Sequence, residues 1–282
     1  MRRTAYVNGT FLPFEEARIP ITDRGFLFGD GIYEVSAVLD GKPVDNAAHL
    51  ARLDRSLREI RIANPHSAAG WAQLQAELIR RNDLREGVVY IEVTRGAAER
   101  DFAFPANVTP TVVMFTQAKA IIDSALARTG AKIVTVPDLR WARRDIKSVA
   151  LLAQVLAKQA AVEAGVAEAW MIQDGRVTEG SSSSAFIITG DGRIVTRPLS
   201  HDILPGVTRR SILALSAESG LAVEERTFTL DEAFAAAEAF YTSASSFVMP
   251  VVSINGRRVG SGEPGPHARR LRDLYIAMAR QT

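Results

Sequence analysis

The stretch Arg140-Trp-Ala-Arg-Arg-Asp-Ile-Lys147-Ser148 places a lysine directly before a long apolar segment. That segment predicts a helix over 148–165, with Ser148 as its N-cap and Gly165 as its C′ residue. An ammonium group at a helix N-terminus meets the positive end of the helix dipole, which favours the neutral amine. A nucleophilic or Schiff-base lysine reacts in this neutral form. Lys147 is therefore a candidate catalytic residue, although most lysines that precede helices are solvated surface residues.

Strand and helix patterns alternate on both sides of this stretch. Towards the N-terminus, Asn8-Gly9 predicts a hairpin turn, and apolar periodicity predicts helices over 49–62 and 67–82. Towards the C-terminus, Thr229-Leu-Asp-Glu232 has the pattern of a capping box, and Asn255-Gly256 predicts another hairpin. The sequence therefore predicts a mixed α/β fold with mainly antiparallel strands.

The length of 282 residues suggests two domains. Residues 117–130 lose the strand pattern and are typical of a linker. We expect a small N-terminal α/β domain at 1–118, a linker at 119–124 and a larger C-terminal domain at 125–282.

The composition excludes several classes of protein. The chain has no cysteine, and its four histidines are scattered, so we expect no metal site. The net charge of +2 is too small to indicate nucleic-acid binding. No apolar run reaches the roughly 18 residues of a membrane span, and the N-terminus lacks the apolar core of a signal peptide. These features favour a cytoplasmic protein.

Three further features suit the binding of an anionic cofactor, although each alone is weak. Glu179 precedes four serines, and hydroxyl-rich turns suit phosphate oxygens. A glycine turn leads into a helix at Val207-Thr208, and a helix N-terminus is a natural anion site. Arg52 lies near the start of a helix, where a guanidinium can bind phosphate. The ordinary alternatives are a flexible serine loop, a plain helix start and a solvated arginine. An amine, a carboxylate and phosphate-binding groups are together what pyridoxal 5′-phosphate requires.

Several sequence blocks in the same order resemble the fold-type IV pyridoxal-phosphate aminotransferases (class IV), and among them the bacterial D-amino-acid aminotransferases. The resemblance covers nearly the whole chain. The blocks are Asp23-Arg-Gly-Phe-Leu-Phe-Gly-Asp-Gly-Ile-Tyr33-Glu-Val, Val93-Thr-Arg-Gly96, Arg140–Ser148, Leu156-Ala-Lys-Gln159 and Val177-Thr-Glu-Gly-Ser-Ser-Ser183.

The resemblance implies a role for each matching residue. Lys147 corresponds to the lysine that binds the cofactor aldehyde and moves the proton, and Glu179 to the carboxylate that pairs with the pyridine nitrogen. Tyr33 and Arg100 correspond to members of a trap for the substrate α-carboxylate. The residues that correspond to phosphate contacts are Arg52, Ser182, Val207, Thr208, Ser243 and Ala244.

The resemblance also implies a fold and an assembly. The family has a small N-terminal α/β domain and a larger C-terminal α/β pseudo-barrel domain, with the cofactor between them. Its members are usually homodimers. The partners implied are an amino donor and a 2-oxo acid acceptor.

Three positions depart from the usual D-amino-acid aminotransferase pattern. Phe102 replaces a histidine of the carboxylate trap and cannot donate a hydrogen bond. Ser184 replaces an asparagine, and Ala244 replaces a hydroxyl residue, which leaves only a backbone contact there. The departure at Phe102 concerns the carboxylate trap and therefore the natural substrate.

The predicted reaction is a ping-pong amino transfer between a D-amino acid and a 2-oxo acid such as pyruvate or 2-oxoglutarate. Three relatives on the same fold remain as alternatives: an L-branched-chain aminotransferase, an (R)-selective amine aminotransferase and an aminodeoxychorismate lyase. The apolar Phe102 makes the second more credible. A binding protein without catalysis would leave the whole set of residues unexplained.

Overall fold

The computed structural model describes residues 3–218 and 220–281, which divide into two compact units. The first unit comprises residues 3–120 together with Ile146–Ala150. The second comprises the described residues of Ile121–Asp145 and Leu151–Gln281. The segment that carries Lys147 groups with the first unit, although it follows residue 124 in the chain.

The first unit contains one antiparallel sheet and three helices among the described residues. Its elements are β1 (Thr4–Val7), β2 (Thr10–Pro13), a 3₁₀ turn (Phe14–Glu16), α1 (Arg24–Phe28), β3 (Gly31–Leu39), β4 (Lys42–Pro43), α2 (Asn46–Glu59), α3 (Ala68–Arg81), β5 (Glu86–Thr94) and β6 (Thr111–Ala118). The strand order is β2-β1-β6-β5-β3-β4, and every pair is antiparallel. The predicted β1–β2 hairpin is confirmed, with positive φ at Asn8 and Gly9 as a type I′ turn requires.

The core of the first unit lies between the sheet and helices α2 and α3. Leu53 and Leu57 of α2 and Trp71 and Leu78 of α3 are buried in one apolar cluster with side chains of β5. Ser67 accepts a hydrogen bond from the amide of Gly70, which confirms it as the N-cap of α3.

The second unit contains a larger mixed sheet. Its elements are α4 (Ala125–Thr129), β7 (Ala131–Pro137), α5 (Leu152–Glu163), β8 (Glu168–Gln173), β9 (Arg176–Gly180), β10 (Ser184–Ile188), β11 (Ile194–Thr196), α6 (Val207–Glu218), β12 (Val223–Glu225), α7 (Leu230–Ala235), β13 (Glu238–Ser243), β14 (Phe247–Ile254), β15 (Arg257–Arg258) and α8 (Pro266–Ala279). The strand order within the described residues is β12-β11-β10-β13-β14-β7-β8-β9, and β15 pairs with β14. The Thr229–Glu232 capping box and the Asn255-Gly256 hairpin are both confirmed.

The predicted helix over 148–165 is wrong at its N-terminal end. Helix α5 begins at Leu152, and Ser148 instead forms an antiparallel bridge with Ile32 of β3. The amide of Val149 also donates to the carbonyl of Gly31. These long-range backbone bonds hold the segment extended, so Ser148 is not an N-cap. Gly165 does have the positive φ (68°) expected just after the helix.

None of the helices in the described ranges combines the length and the apolar character that a membrane span requires.

Candidate active site

The backbone of Lys147 is held on both sides within the first unit. Its carbonyl accepts a hydrogen bond from the amide of Tyr33 (2.9 Å), and its amide donates to Ser56 Oγ of α2 (3.3 Å). Its Nζ lies 4.1 Å from the centroid of the Tyr33 ring, which is a cation–π geometry. The helix-dipole argument for a neutral Lys147 fails, because α5 starts five residues later. The structure instead places this amine against an aromatic face on a well-fixed backbone.

Arg52 lies on α2, one helical turn before Ser56, and its guanidinium group pairs with Glu34. Its Nε and Nη2 donate to the two oxygens of Glu34 at 3.0 and 2.5 Å. His49 Nδ1 also donates to Glu34 Oε1, at 2.9 Å. Burial opposes ionisation of Glu34, but Arg52 and His49 together outweigh it and hold the pKa of that carboxyl well below its ordinary range. Burial lowers the pKa of His49. A buried ion pair therefore fixes the orientation of the predicted phosphate-binding arginine.

We expect Glu34→Gln to lower the free energy of unfolding by about 3 kcal/mol at pH 7, because it removes the negative charge that faces the buried Arg52 guanidinium. Since the folded-state pKa of Glu34 is depressed, its contribution is present above the ordinary glutamate pKa of about 4.3 and is lost as the pH falls below that value. The variant should therefore show a shallower loss of stability between about pH 5 and 3 in urea unfolding. Glu163→Gln, which changes an exposed glutamate near the end of α5, is the control and should leave both quantities unchanged. Equal acid sensitivity of the Glu34 variant and wild type would contradict this account.

The two predicted members of the carboxylate trap lie in different aromatic groups of the first unit. Tyr33 stacks on Tyr90, with ring centroids 5.8 Å apart. Arg100 is exposed and lies over the rings of Phe28 and Phe102, at 5.4 and 5.6 Å. The Phe102 side chain is 77% exposed. Within the described residues, Tyr33 and Arg100 therefore contact different sets of aromatic rings.

The loop that carries Arg100 is held by the buried Arg24, which lies in the block that begins at Asp23 but has no predicted role. Arg24 donates to the carbonyls of Asp101 (2.5 Å) and Phe102 (3.4 Å). Its Nε donates to Asp30, which also binds Arg95. This network fixes the backbone of the loop, while the Arg100 and Phe102 side chains stay exposed.

Glu179 lies at the end of β9 in the second unit, in a buried charge network. Its Oε1 accepts hydrogen bonds from Arg140 Nη1 and from the amide of Leu204 (3.0 Å). Arg140 is fixed in turn by Asp138. Within the described residues, both hydrogen bonds to Glu179 end on Oε1, so Oε2 can accept from another donor. Burial raises the pKa of Glu179, and the Arg140 guanidinium opposes that rise.

Helix α6 begins beside the strands β10 and β13 of the same unit. Ser184 pairs with Thr242 across these strands, and an ideal Cβ on Gly206 would lie 2.8 Å from Ser184 Oγ. The predicted contacts Val207 and Thr208 are the first residues of α6, where backbone N–H groups lack partners within the helix. Thr208 Oγ1 and Thr242 Oγ1 are buried without a hydrogen-bond partner in the described structure. A helix N-terminus with two unpaired hydroxyls fits a phosphate group.

The other predicted phosphate contacts lie in two turns of the second unit. Ser243 Oγ is 2.6 Å from Ser246 Oγ across the turn that contains Ala244. Ser182 is exposed at the tip of the turn between β9 and β10. The hydroxyls of Ser243 and Ser246 satisfy each other, whereas the Ser182 side chain projects from its turn.

Comparisons with known proteins agree with this fold. Residues 31–254 match the family described as amino-transferase class IV. A D-alanine aminotransferase of Bacillus licheniformis is 41% identical over 259 residues, which are 92% of this chain and 91% of the relative. A D-alanine aminotransferase of Staphylococcus aureus (strain MSSA476) is 39% identical over 96% of this chain and 95% of its own length.

Solved structures of two branched-chain amino acid aminotransferases are also similar. The enzyme of T.th., solved with pyridoxamine 5′-phosphate, has a TM-score of 0.93 and 26% identity, with 100% of this chain and 96% of that chain covered. The Escherichia coli enzyme has a TM-score of 0.92 over 99% of this chain and 95% of its own, and at 22% identity it supports the fold alone. The chain belongs to the class IV aminotransferases, and it is an enzyme.

Proposed function

We propose that this enzyme uses pyridoxal 5′-phosphate to move an amino group between a D-amino acid and a 2-oxo acid such as pyruvate or 2-oxoglutarate. The 41% identity to a D-alanine aminotransferase supports the choice of a D-amino acid. The pyridoxamine 5′-phosphate in the T.th. relative supports the cofactor. The single observation that carries the proposal is the Glu179 carboxylate, whose Oε1 accepts both of its hydrogen bonds within the described residues, so that Oε2 can accept from another donor.

The cofactor would supply an aldehyde group that reacts with amines, and it would also supply a ring that accepts electrons. Lys147 is the residue that would hold the aldehyde, and its amine, once released, would act as general base toward the substrate Cα proton. Glu179 Oε2 would accept a hydrogen bond from the protonated ring nitrogen. Since Thr208 and Thr242 have unpaired hydroxyls, they bind phosphate oxygens together with the N-terminus of α6. Arg52, fixed by Glu34, supplies the phosphate with a positive charge.

The remaining predicted residues are secondary contacts in this proposal. Ser182, Ser243 and the backbone at Ala244 contribute to phosphate binding, while Tyr33 and Arg100 orient the substrate carboxylate.

The enzyme is proposed to act as a homodimer in the cytoplasm. Large apolar side chains are exposed on the first unit and along α5, and a second copy of the chain would cover such surface. They include Ile21, Phe26, Phe102, Leu152, Val155 and Leu156. The cysteine-free sequence suits a reducing compartment.

Phe102 favours an (R)-selective amine aminotransferase as the second candidate. Its exposed ring stands where the D-amino-acid enzymes typically have a hydrogen-bond donor, and an apolar group suits a substrate without a carboxylate.

A panel of amino donors tests the proposal. D-alanine, L-leucine and (R)-1-phenylethylamine are each offered with pyruvate or 2-oxoglutarate, and kcat/KM is measured with the spectrum of the bound cofactor. We expect D-alanine to exceed L-leucine at least about 100-fold, because the wrong configuration misplaces the Cα proton. Faster turnover of the (R)-amine than of D-alanine would favour the second candidate. Faster turnover of L-leucine would favour a branched-chain enzyme, and pyruvate release from aminodeoxychorismate without an acceptor would favour the lyase.

A further inference from the structure

Glu168, at the start of β8, is a buried carboxylate that has no role in the proposed reaction. Glu168 is only 2% exposed. Oε1 accepts hydrogen bonds from the amide of Ala169 (2.8 Å) and from Ser181 Oγ, and Oε2 accepts from Ser183 Oγ (3.0 Å). In the described part of the chain it has no cationic partner, unlike Glu34 and Glu179. Two serine hydroxyls and one backbone amide therefore satisfy this carboxylate.

The two serines belong to the tight turn that joins β9 to β10. The amide of Gly180 donates to the carbonyl of Ser183 at 2.7 Å, and the amide of Ser181 donates to that of Ala169 at 3.0 Å. An ideal Cβ on Gly180 would collide with Ser183 Oγ, so the turn closes tightly only with glycine there. Ser181 and Ser183 point inward to Glu168, whereas Ser182 is exposed between them. The contacts to Glu168 therefore determine which serine projects outward.

This turn connects two parts of the proposed cofactor site in the second unit. It begins directly after Glu179 and ends at Ser184, which pairs with Thr242 and lies against Gly206 before α6. A shift of the turn would move both Glu179 and the strand beside the phosphate-binding helix terminus. Hydrogen bonds to an ionised acceptor are stronger than neutral ones, so Glu168 resists such a shift more than a neutral residue would.

We propose that Glu168 is a positioning residue for cofactor binding, which anchors the turn over 180–184 through Ser181 and Ser183. This inference rests on the proposed function, because it presumes that pyridoxal 5′-phosphate is the ligand of this site. Glu168 itself does not touch the cofactor and acts through the two serines.

Glu168→Gln tests the proposal. The glutamine side chain accepts hydrogen bonds at its oxygen, whereas its nitrogen only donates. One of the two serines therefore loses its acceptor and faces a second donor. The dissociation constant of pyridoxal 5′-phosphate should be at least about tenfold larger in the variant than in wild type. It is measured from the absorbance of the bound cofactor as the holoenzyme is serially diluted. Hydrogen exchange of the amides in 180–184 should be faster. Ser183→Ala removes only the Oε2 contact and should produce smaller changes in the same direction.

Two matched controls separate positioning from a general loss of stability. Glu238 is also buried and accepts from the amides of His267 and Ala268 at the start of α8, so Glu238→Gln removes a buried carboxylate elsewhere. Ser216→Ala removes a buried hydroxyl that donates to the carbonyl of Ile212 within α6. Both should retain wild-type cofactor dissociation and wild-type exchange in 180–184.

Faster exchange in 180–184 with unchanged cofactor dissociation would overturn the positioning role. Unchanged exchange would overturn the anchoring role of Glu168. A wild-type protein that binds no pyridoxal 5′-phosphate would refute the proposed function, and the inference with it, whatever the exchange data show for the variants.

Discussion

Replacing Lys147 with alanine is expected to lower the rate of amino transfer at least about 10³-fold, since one side chain provides both the covalent link to the cofactor and the general base. The backbone bonds of Lys147 to Tyr33 and Ser56 do not involve its side chain, so the variant should fold normally. The measurement is single-turnover conversion of bound cofactor by D-alanine, with circular dichroism as the check on folding.

The sequence provides a matched control, because it has only four other lysines. Lys132 is exposed on β7, and Lys132→Ala should retain the wild-type rate. Borohydride reduction of the wild-type holoenzyme should fix the cofactor to the peptide that contains Lys147. Attachment to a different lysine, or turnover by Lys147→Ala close to the wild-type rate, would refute the assignment.

Elements whose signals are local could be predicted from the sequence. The Asn8-Gly9 turn, the Ser67 cap and the Thr229–Glu232 capping box depend on residues within four positions of one another, and each forms as expected. The start of α5 could not be predicted in the same way. Ser148 is a good N-cap by type, but its pairing with Ile32 comes from a distant part of the chain and overrides the local preference.

The residues of the proposed site show the same difference between local sequence signals and long-range contacts. The family resemblance provided Lys147, Glu179 and Arg52, and the first two of these lie in the quoted blocks. The partners that orient them were missed: Arg140 is 39 positions from Glu179, and Glu34 is 18 from Arg52. Both Arg140 and Glu34 lie inside the quoted blocks. The signal that could have indicated them was a charged residue within a family motif. Which charges pair became clear only when the strands and helices were in place.

Replacing Glu179 with glutamine is expected to produce the second largest loss, about 10²-fold in kcat, while the cofactor stays bound. The phosphate contacts proposed for Thr208, Thr242 and Arg52 do not depend on Glu179, so cofactor affinity should change little. Glutamine can still accept from Arg140 and the Leu204 amide through its carbonyl oxygen, which keeps the local geometry. The other end of the amide is a donor without charge, and it cannot hold a proton on a ring nitrogen. Removing such electrostatic stabilisation typically costs about 10²–10³-fold.

The expected signature of Glu179→Gln is a slower and more rate-limiting removal of the Cα proton. The kinetic isotope effect with Cα-deuterated D-alanine should therefore rise above the wild-type value, and Glu238→Gln should leave it unchanged. If kcat fell but the isotope effect did not rise, Glu179 would affect another step, such as product release. If cofactor were lost in proportion to activity, its role would be to bind the cofactor. A slower proton transfer on fully bound cofactor is the result that only a carboxylate acting at the ring nitrogen explains, because Arg140 and Leu204 keep their acceptor in the variant.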